Sequence, residues 1–220
     1  MLQNTFLTYT LMKPAAIKSI YVSITAMMVW FALGLQLKLS IGHSGGNIWH
    51  ALKLYLSFFT ILTNILVACC LTFIIFFKGT GISKFFSKAS TQTAIAVYIL
   101  VVGLVYNISL RGLTHPVGLD RVADELLHVA SPLLFLCFWI FFVKKAGLDY
   151  KDAVKWLIYP LLYVLLIVVR GYIINAYPYP FINVVNLGYP KALLNTGIIL
   201  LIMWVLSLLF IFIGKKMKKI

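Results

Sequence analysis

The sequence predicts an all-α integral membrane protein, a bundle of six transmembrane helices with both termini cytoplasmic. Three observations predict it. Apolar residues make up 62% of the 220-residue chain and charged residues only 11%, with a mean hydropathy of +1.00. A water-soluble domain of this size needs far more charge to cover its surface. Six continuous apolar stretches approach the roughly 20 residues that a helix needs to cross the hydrocarbon core. The lysines gather in short segments that flank those stretches.

The stretches run at about Ile17–Leu37, Leu54–Phe77, Thr93–Leu110, Leu126–Val143, Val154–Ile174 and Leu193–Ile213. None shows the period of two that a membrane-spanning strand requires, so helices are predicted rather than a barrel. The connections are short and no repeat is detectable, which predicts a single transmembrane domain over residues 1–220. The first run is long enough to stay as a span and lacks a small-residue cleavage site. Initiation at Met12 rather than Met1 removes nothing recognisable. Cys69, Cys70 and Cys137 all lie inside apolar runs and read as small packing residues.

Positive charge sets the orientation. Thirteen lysines fall on the side shared by the termini: Lys13, Lys18, Lys78, Lys84, Lys88, Lys144, Lys145, Lys151, Lys155, Lys215, Lys216, Lys218 and Lys219. Only Lys38, Lys53, Arg111, Arg121 and Lys191 fall on the other side, and Arg170 lies within a span. Cationic loops stay cytoplasmic, which places both termini inside the cell membrane. The 19 basic residues against 5 acidic ones therefore read as topology. The lysine clusters face anionic phospholipid, and no basic helix with interleaved aromatics suggests nucleic acid.

That orientation gathers the reactive side chains at the outer end. His43, His50, His115, His128, Asp120, Asp124 and Glu125 all fall there, whereas the inner half of each span is nearly pure Leu, Ile, Val and Phe. In the second span Ser57, Thr60, Thr63 and Asn64 recur at three- and four-residue spacing and share one helix face. The third span ends on Asn107 and Arg111, one turn apart, and the fourth begins with Asp124, Glu125 and His128. Arg170 and Asn175 mark the outer end of the fifth, Asn195 and Thr196 the start of the sixth.

Polar groups in a span face the bundle interior or a water-filled cavity. For Ser57, Thr63 and Asn195 the commoner role is bonding to nearby carbonyls or between helices. Arg170 is expected to pair with Asp124 or Glu125 across the bundle, because an unpaired guanidinium at that depth is costly. His128 has carboxylates one turn away that raise its basicity. Pro132 removes the amide that would bond its carbonyl. Thr60 and His128 each lie within about two turns of the outer end of their span, so similar depth is expected. The segment Tyr177-Pro178-Tyr179-Pro180-Phe181 reads as an interfacial aromatic belt or a stiff lid over the outer cavity.

The run Phe58-Phe59-Thr60-Ile61-Leu62-Thr63-Asn64, then Leu126-Leu127-His128 followed by Pro132, then Tyr179-Pro180-Phe181, resembles the androgen-induced and androgen-dependent TFPI-regulating protein family. The likeness is to its bacterial branch of small six-span proteins and covers most of the chain. The resemblance implies a membrane hydrolase of fatty acid esters of hydroxy fatty acids, with Thr60 as nucleophile and His128 as general base. Such a base takes the proton of a weakly nucleophilic hydroxyl and later returns it to the leaving alkoxide. This chain departs at Val129-Ala130, where animal members place further polar residues.

The leading expectation is thus a lipid-ester hydrolase opening to the outer leaflet, acting on a membrane lipid or fatty-acyl ester without a cofactor. Asp124, Glu125, Asn64, Asn107, Arg111 and Arg170 are its expected supporting residues. The alternative is a non-enzymatic membrane protein that binds or moves a small hydrophobic ligand. A metal-dependent hydrolase using His43, His50, His115 and His128 is a third reading; three histidines and a water suffice for zinc. No two of them have helical ligand spacing, however. An α/β-hydrolase is not expected: the Gly-x-Ser-x-Gly match at Gly42-His43-Ser44-Gly45-Gly46 follows an apolar run read as a helix rather than a strand.

Overall fold

The computed structural model describes residues 14–113 and 115–217. Lys13, Lys218, Lys219 and the candidate start at Met12 lie outside them. The described residues are mostly helical, with no strand among them. Six helices are long and apolar enough to cross a membrane, which is the architecture of a multi-pass membrane protein. The chain runs α1 (Pro14–His43), α2 (Ile48–Tyr55), α3 (Phe59–Phe76), α4 (Gly81–Phe86) and α5 (Ala89–Val105). It continues through α6 (Gly118–Glu125), α7 (Ser131–Phe142), α8 (Asp152–Lys155), α9 (Ile158–Ile174) and α10 (Val184–Met217).

Two π-helical turns extend these elements. Tyr106–Leu110 prolongs α5, and Leu126–Ala130 joins α6 to α7. The third span is therefore Ala89–Leu110 and the fourth Gly118–Phe142. The fourth begins two turns earlier than its apolar run, because Asp120, Asp124 and Glu125 are carried on helix rather than loop.

The second span differs from its expected start at Leu54. Residues 48–55 form the separate helix α2, capped by the Asn47 side chain, which accepts the His50 N–H at 3.0 Å. The chain breaks at Leu56–Phe58, and α3 starts at Phe59. Ser57 lies in that break, so it does not share a helix face with Thr60, Thr63 and Asn64 as expected. Its hydroxyl donates to the Lys53 carbonyl, the local competition that lets Ser leave a helix. Its own carbonyl is taken by the Tyr163 hydroxyl of α9 at 2.9 Å. Apolar composition carries no trace of such a break.

Spans one to four form the core. Val22 and Val29 of α1, Val67 and Leu71 of α3, Ile95 and Ile99 of α5, and Phe135 and Phe138 of α7 are all almost fully buried together. Lipid supplies no hydrophobic drive between helices, so close packing and interhelical bonds hold them. At Gly103 an added Cβ would lie 3.3 Å from the His128 carbonyl oxygen and from Pro132. This position lets α5 meet the second π turn. Tyr98, Trp156, Met203 and Ile211 seat α8 and α10 against α5, and Phe59 of α3 packs on Tyr159 and Tyr163 of α9.

Contacts at the ends fix which termini sit together. Lys18 donates to the Phe142 carbonyl at 3.2 Å, and the Lys215 ammonium lies 4.1 Å from the Tyr150 ring centroid. At the opposite end His43 reaches Asp120 at 3.5 Å. Asp120, Asp124, Glu125 and the imidazoles thus collect at the end opposite Lys18 and Lys215, while Asp149 and Asp152 stay at the lysine-rich end beside Lys151 and Lys155.

Candidate functional site

α3 begins at Phe59, so Thr60 stands in its first turn, where backbone amides have no intrahelical acceptor. Tyr179 supplies one: the Thr60 N–H donates to the Tyr179 hydroxyl at 3.3 Å, and the two hydroxyl oxygens lie 3.5 Å apart. Tyr179 belongs to the strap that joins α9 to α10. Asn175 ends α9 in the left-handed region (φ 49°), a conformation asparagine tolerates. Gly171 leaves room for the Tyr177 ring, which would lie 2.1 Å from a Cβ there. The Asn195 amide holds the strap's far end through the Phe181 carbonyl at 2.9 Å. Pro178 and Pro180 stiffen the chain on either side of the tyrosine.

His128 sits in the second π turn. Its Nδ1 lies 3.0 Å from the Asp124 carboxylate and 3.0 Å from the Asp124 carbonyl. With Nδ1 donating, Nε2 carries the free lone pair. The imidazole stacks on Tyr106 of the first π turn, at 3.9 Å between ring centroids and 16° between planes. The Tyr106 hydroxyl donates to the other oxygen of Asp124. Two π turns on adjacent spans therefore face each other across one carboxylate, and such turns recur at functional sites.

Asn64 ties the two halves together. Fully buried, it donates to the Thr60 carbonyl at 2.9 Å and to the Leu127 carbonyl at 3.2 Å. Pro132 has no N–H to offer either Leu127 or His128, so the fourth span presents a carbonyl that a neighbour must satisfy. The Asn64 Oδ1 and the Ser131 hydroxyl are buried without a partner among the described residues.

Thr60, His128, Asp124, Tyr106 and Tyr179 all line a cavity of about 300 Å³. No hydrogen bond joins Thr60 to His128 among the described residues. A second, smaller cavity of about 70 Å³ lies on the other side of Thr60, Tyr106 and Tyr179, between α5, α9 and α10.

The remaining expected residues form a cluster beside this site. Glu125 accepts a two-pronged bond from Arg111 at 2.8 and 2.9 Å and a further contact from Arg121 at 2.7 Å. Asn107 accepts the Arg111 Nε–H at 2.9 Å and donates back to Gly103. The expected pairing of Arg170 with Asp124 or Glu125 is corrected. Arg170 donates to the Ala176 carbonyl at 3.4 Å, Glu125 is held by Arg111 and Arg121, and Asp124 by Tyr106 and His128. Arg170 lies on α9, outside the core of spans one to four, and the local bond to Ala176 is its only hydrogen bond among the described residues.

Thr63 bonds Tyr159 at 3.2 Å, and Thr196 its own Ala192 carbonyl at 2.8 Å. The histidines expected for a metal are dispersed. His43 faces Asp120, His50 lies in the first turn of α2 with its backbone N–H on the Asn47 cap, and among the described residues no three His, Cys, Asp or Glu side chains are grouped to hold a metal.

Tyr106 is the site residue that sequence reasoning missed. A tyrosine near a span end fits an aromatic belt equally well, and its neighbours Asn107 and Arg111 drew the signal. Comparison with protein-family models, with curated proteins and with solved structures finds no match to this chain.

Proposed function

We propose that this chain is an intramembrane hydrolase of lipid esters, with Thr60 as nucleophile and His128 as general base. The observation that supports it most is that the two residues line one cavity, with His128 oriented by a half-buried carboxylate that leaves Nε2 free. A water in the cavity relays the proton, a permitted geometry for a general base.

The chemistry balances on these groups. Oγ1 of Thr60 bonds to the ester carbonyl carbon, and its proton passes through the water to Nε2 of His128. The tetrahedral oxyanion accepts from the Tyr179 hydroxyl and the freed Thr60 N–H, donors set at a helix start. Collapse breaks the bond to the alkoxy oxygen, which leaves with the His128 proton. Water then attacks the acyl-threonine, gives its proton to His128, and releases the acid as Thr60 is reprotonated. Ester and water become acid and alcohol.

The positive-inside asymmetry supports a cell-membrane orientation with this site at the outer face and the lysine clusters against anionic lipid of the inner leaflet. The second reading, a binding or transport protein for a hydrophobic ligand, is favoured by one contact: Thr60 bonds Tyr179 rather than His128. A fluorophosphonate probe separates the two. Labelling of the purified protein at Thr60, lost in Thr60→Ala and strongly reduced in His128→Ala, is the expected result. Absence of labelling and of ester cleavage in the intact protein overturns the hydrolase.

A further inference from the structure

Thr60, Tyr106, Leu110 and Tyr179 belong to the walls of both cavities. They stand as a partition with a chamber on each side, and the two chambers differ in chemistry. The larger, about 300 Å³, carries Asp124, His128, Gln36 and Ser40. The smaller, about 70 Å³, is walled by Val102, Val105, Ile199 and Met203, and its polar groups are few. Thr196, one of them, is already bonded to Ala192, so this chamber offers a ligand almost nothing but apolar contact.

From this we infer that the ester straddles the partition. The acyl chain enters the small chamber between α5, α9 and α10, and the alcohol portion lies in the large chamber beside His128. This assignment rests on the hydrolase reading for the position of the carbonyl at Thr60. The apolar match of the chain to the small chamber does not depend on that reading. A methylene chain gains by leaving water or headgroups for an apolar slot, in proportion to the apolar surface it buries. The leaving oxygen must meet the proton donor, and only the large chamber contains His128. The reverse placement puts an alkyl chain against Asp124 and an alkoxide among valines.

The small chamber also sets a length. A water-sized group occupies about 10–15 Å³ on this measure, so the slot seats roughly five or six such groups. Beyond these, Val164 of α9 and Leu200 of α10 are only half-buried wall residues. Longer chains continue between these helices toward the lipid. The substrate class is therefore a fatty ester whose carbons nearest the carbonyl are unbranched, with a polar or bulky alcohol. Met203, almost fully buried, is the specificity-determining residue at the wall.

A fatty acid carrying a diazirine five or six carbons from its carboxylate, irradiated with the purified full chain, tests the placement without needing turnover. Crosslinks on the peptides containing Val164 or Ile199–Met203, displaced by unlabelled palmitate, are expected. In parallel, Ile199→Trp and Met203→Trp should each lower the ratio of kcat/KM for decanoyl over acetyl p-nitrophenyl esters by at least tenfold. Crosslinks confined to α1, α2 or α6, or an unchanged ratio in both folded variants, overturn the inference while leaving the hydrolase standing. If no ester is cleaved, the hydrolase falls, and the crosslinking map alone decides where the chain sits.

Discussion

The Tyr179 hydroxyl lies 3.5 Å from Oγ1 of Thr60 and accepts the Thr60 N–H at 3.3 Å, joining residues 119 positions apart. A strap tyrosine thereby stands beside the proposed nucleophile, where its hydroxyl would donate to the oxyanion. Tyr179→Phe keeps the ring contacts with Phe58 and Phe181 and removes only the donor. We expect kcat for a short fatty ester to fall by about 10²-fold with KM nearly unchanged, the usual cost of one oxyanion donor. Steady-state kinetics with matched circular dichroism spectra check it; an equal loss through KM alone rejects the role.

Asp124 accepts from both His128 and Tyr106. Asp124→Asn offers an amide that no longer fixes the imidazole with Nε2 free, and a drop of about 10²-fold in kcat is expected, comparable to losing general-base catalysis. Tyr106→Phe keeps the stack on His128 and removes a single hydrogen bond. Its loss should be about fivefold, the equivalent of roughly 1 kcal/mol. The order of these two effects is the measurement: a larger loss in Tyr106→Phe than in Asp124→Asn contradicts the proposed positioning.

Asn64 bridges the second and fourth spans at the two carbonyls nearest the site. Asn64→Ala removes the side-chain amide donor from both, and only the Thr60 carbonyl keeps a helical N–H partner. We predict a loss of about 1–2 kcal/mol of stability in detergent, together with reduced ester cleavage. Thermal denaturation reads the first and kinetics the second. A variant as stable as the parent would show that the bridge contributes nothing.

The Arg111–Glu125 contact and the isolated position of Arg170 make opposite predictions. Arg111→Ala should lower the melting temperature in detergent by a few degrees, and Glu125→Gln added to it should cost little more, because the two share one interaction. Arg170→Ala should leave the melting temperature unchanged. A pronounced loss in Arg170→Ala would contradict a guanidinium whose one hydrogen bond among the described residues is the exposed contact with Ala176.

Orientation is testable without activity. A reporter inserted near Gly45, in the turn between α1 and α2, should report the outside, and one fused to the C-terminus the cytoplasm. The opposite pattern would turn the site to the inner leaflet.

The sequence by itself determined the number of spans, their approximate places, and the collection of the histidines with Asp120, Asp124 and Glu125 at one end. These features come from hydropathy and charge, which are properties of short windows of chain. It also singled out Thr60, Asn64, Asp124 and His128, because three- and four-residue spacing is enough to place them on common helix faces. Tertiary structure decided the rest. The break at Leu56–Phe58, which frees the Thr60 amide, arises from a Ser57 hydroxyl and a distant Tyr163, and leaves no mark in apolar composition. Each π turn inserts one residue and rotates the rest of its helix by roughly 100°, so the stack of Tyr106 on His128 is invisible to ideal helical periodicity. Glu125 pairs with Arg111 rather than Arg170 because the third span packs beside the fourth. A carboxylate takes the cation its neighbouring helix brings within reach, and which helix is the neighbour is settled only when the bundle closes.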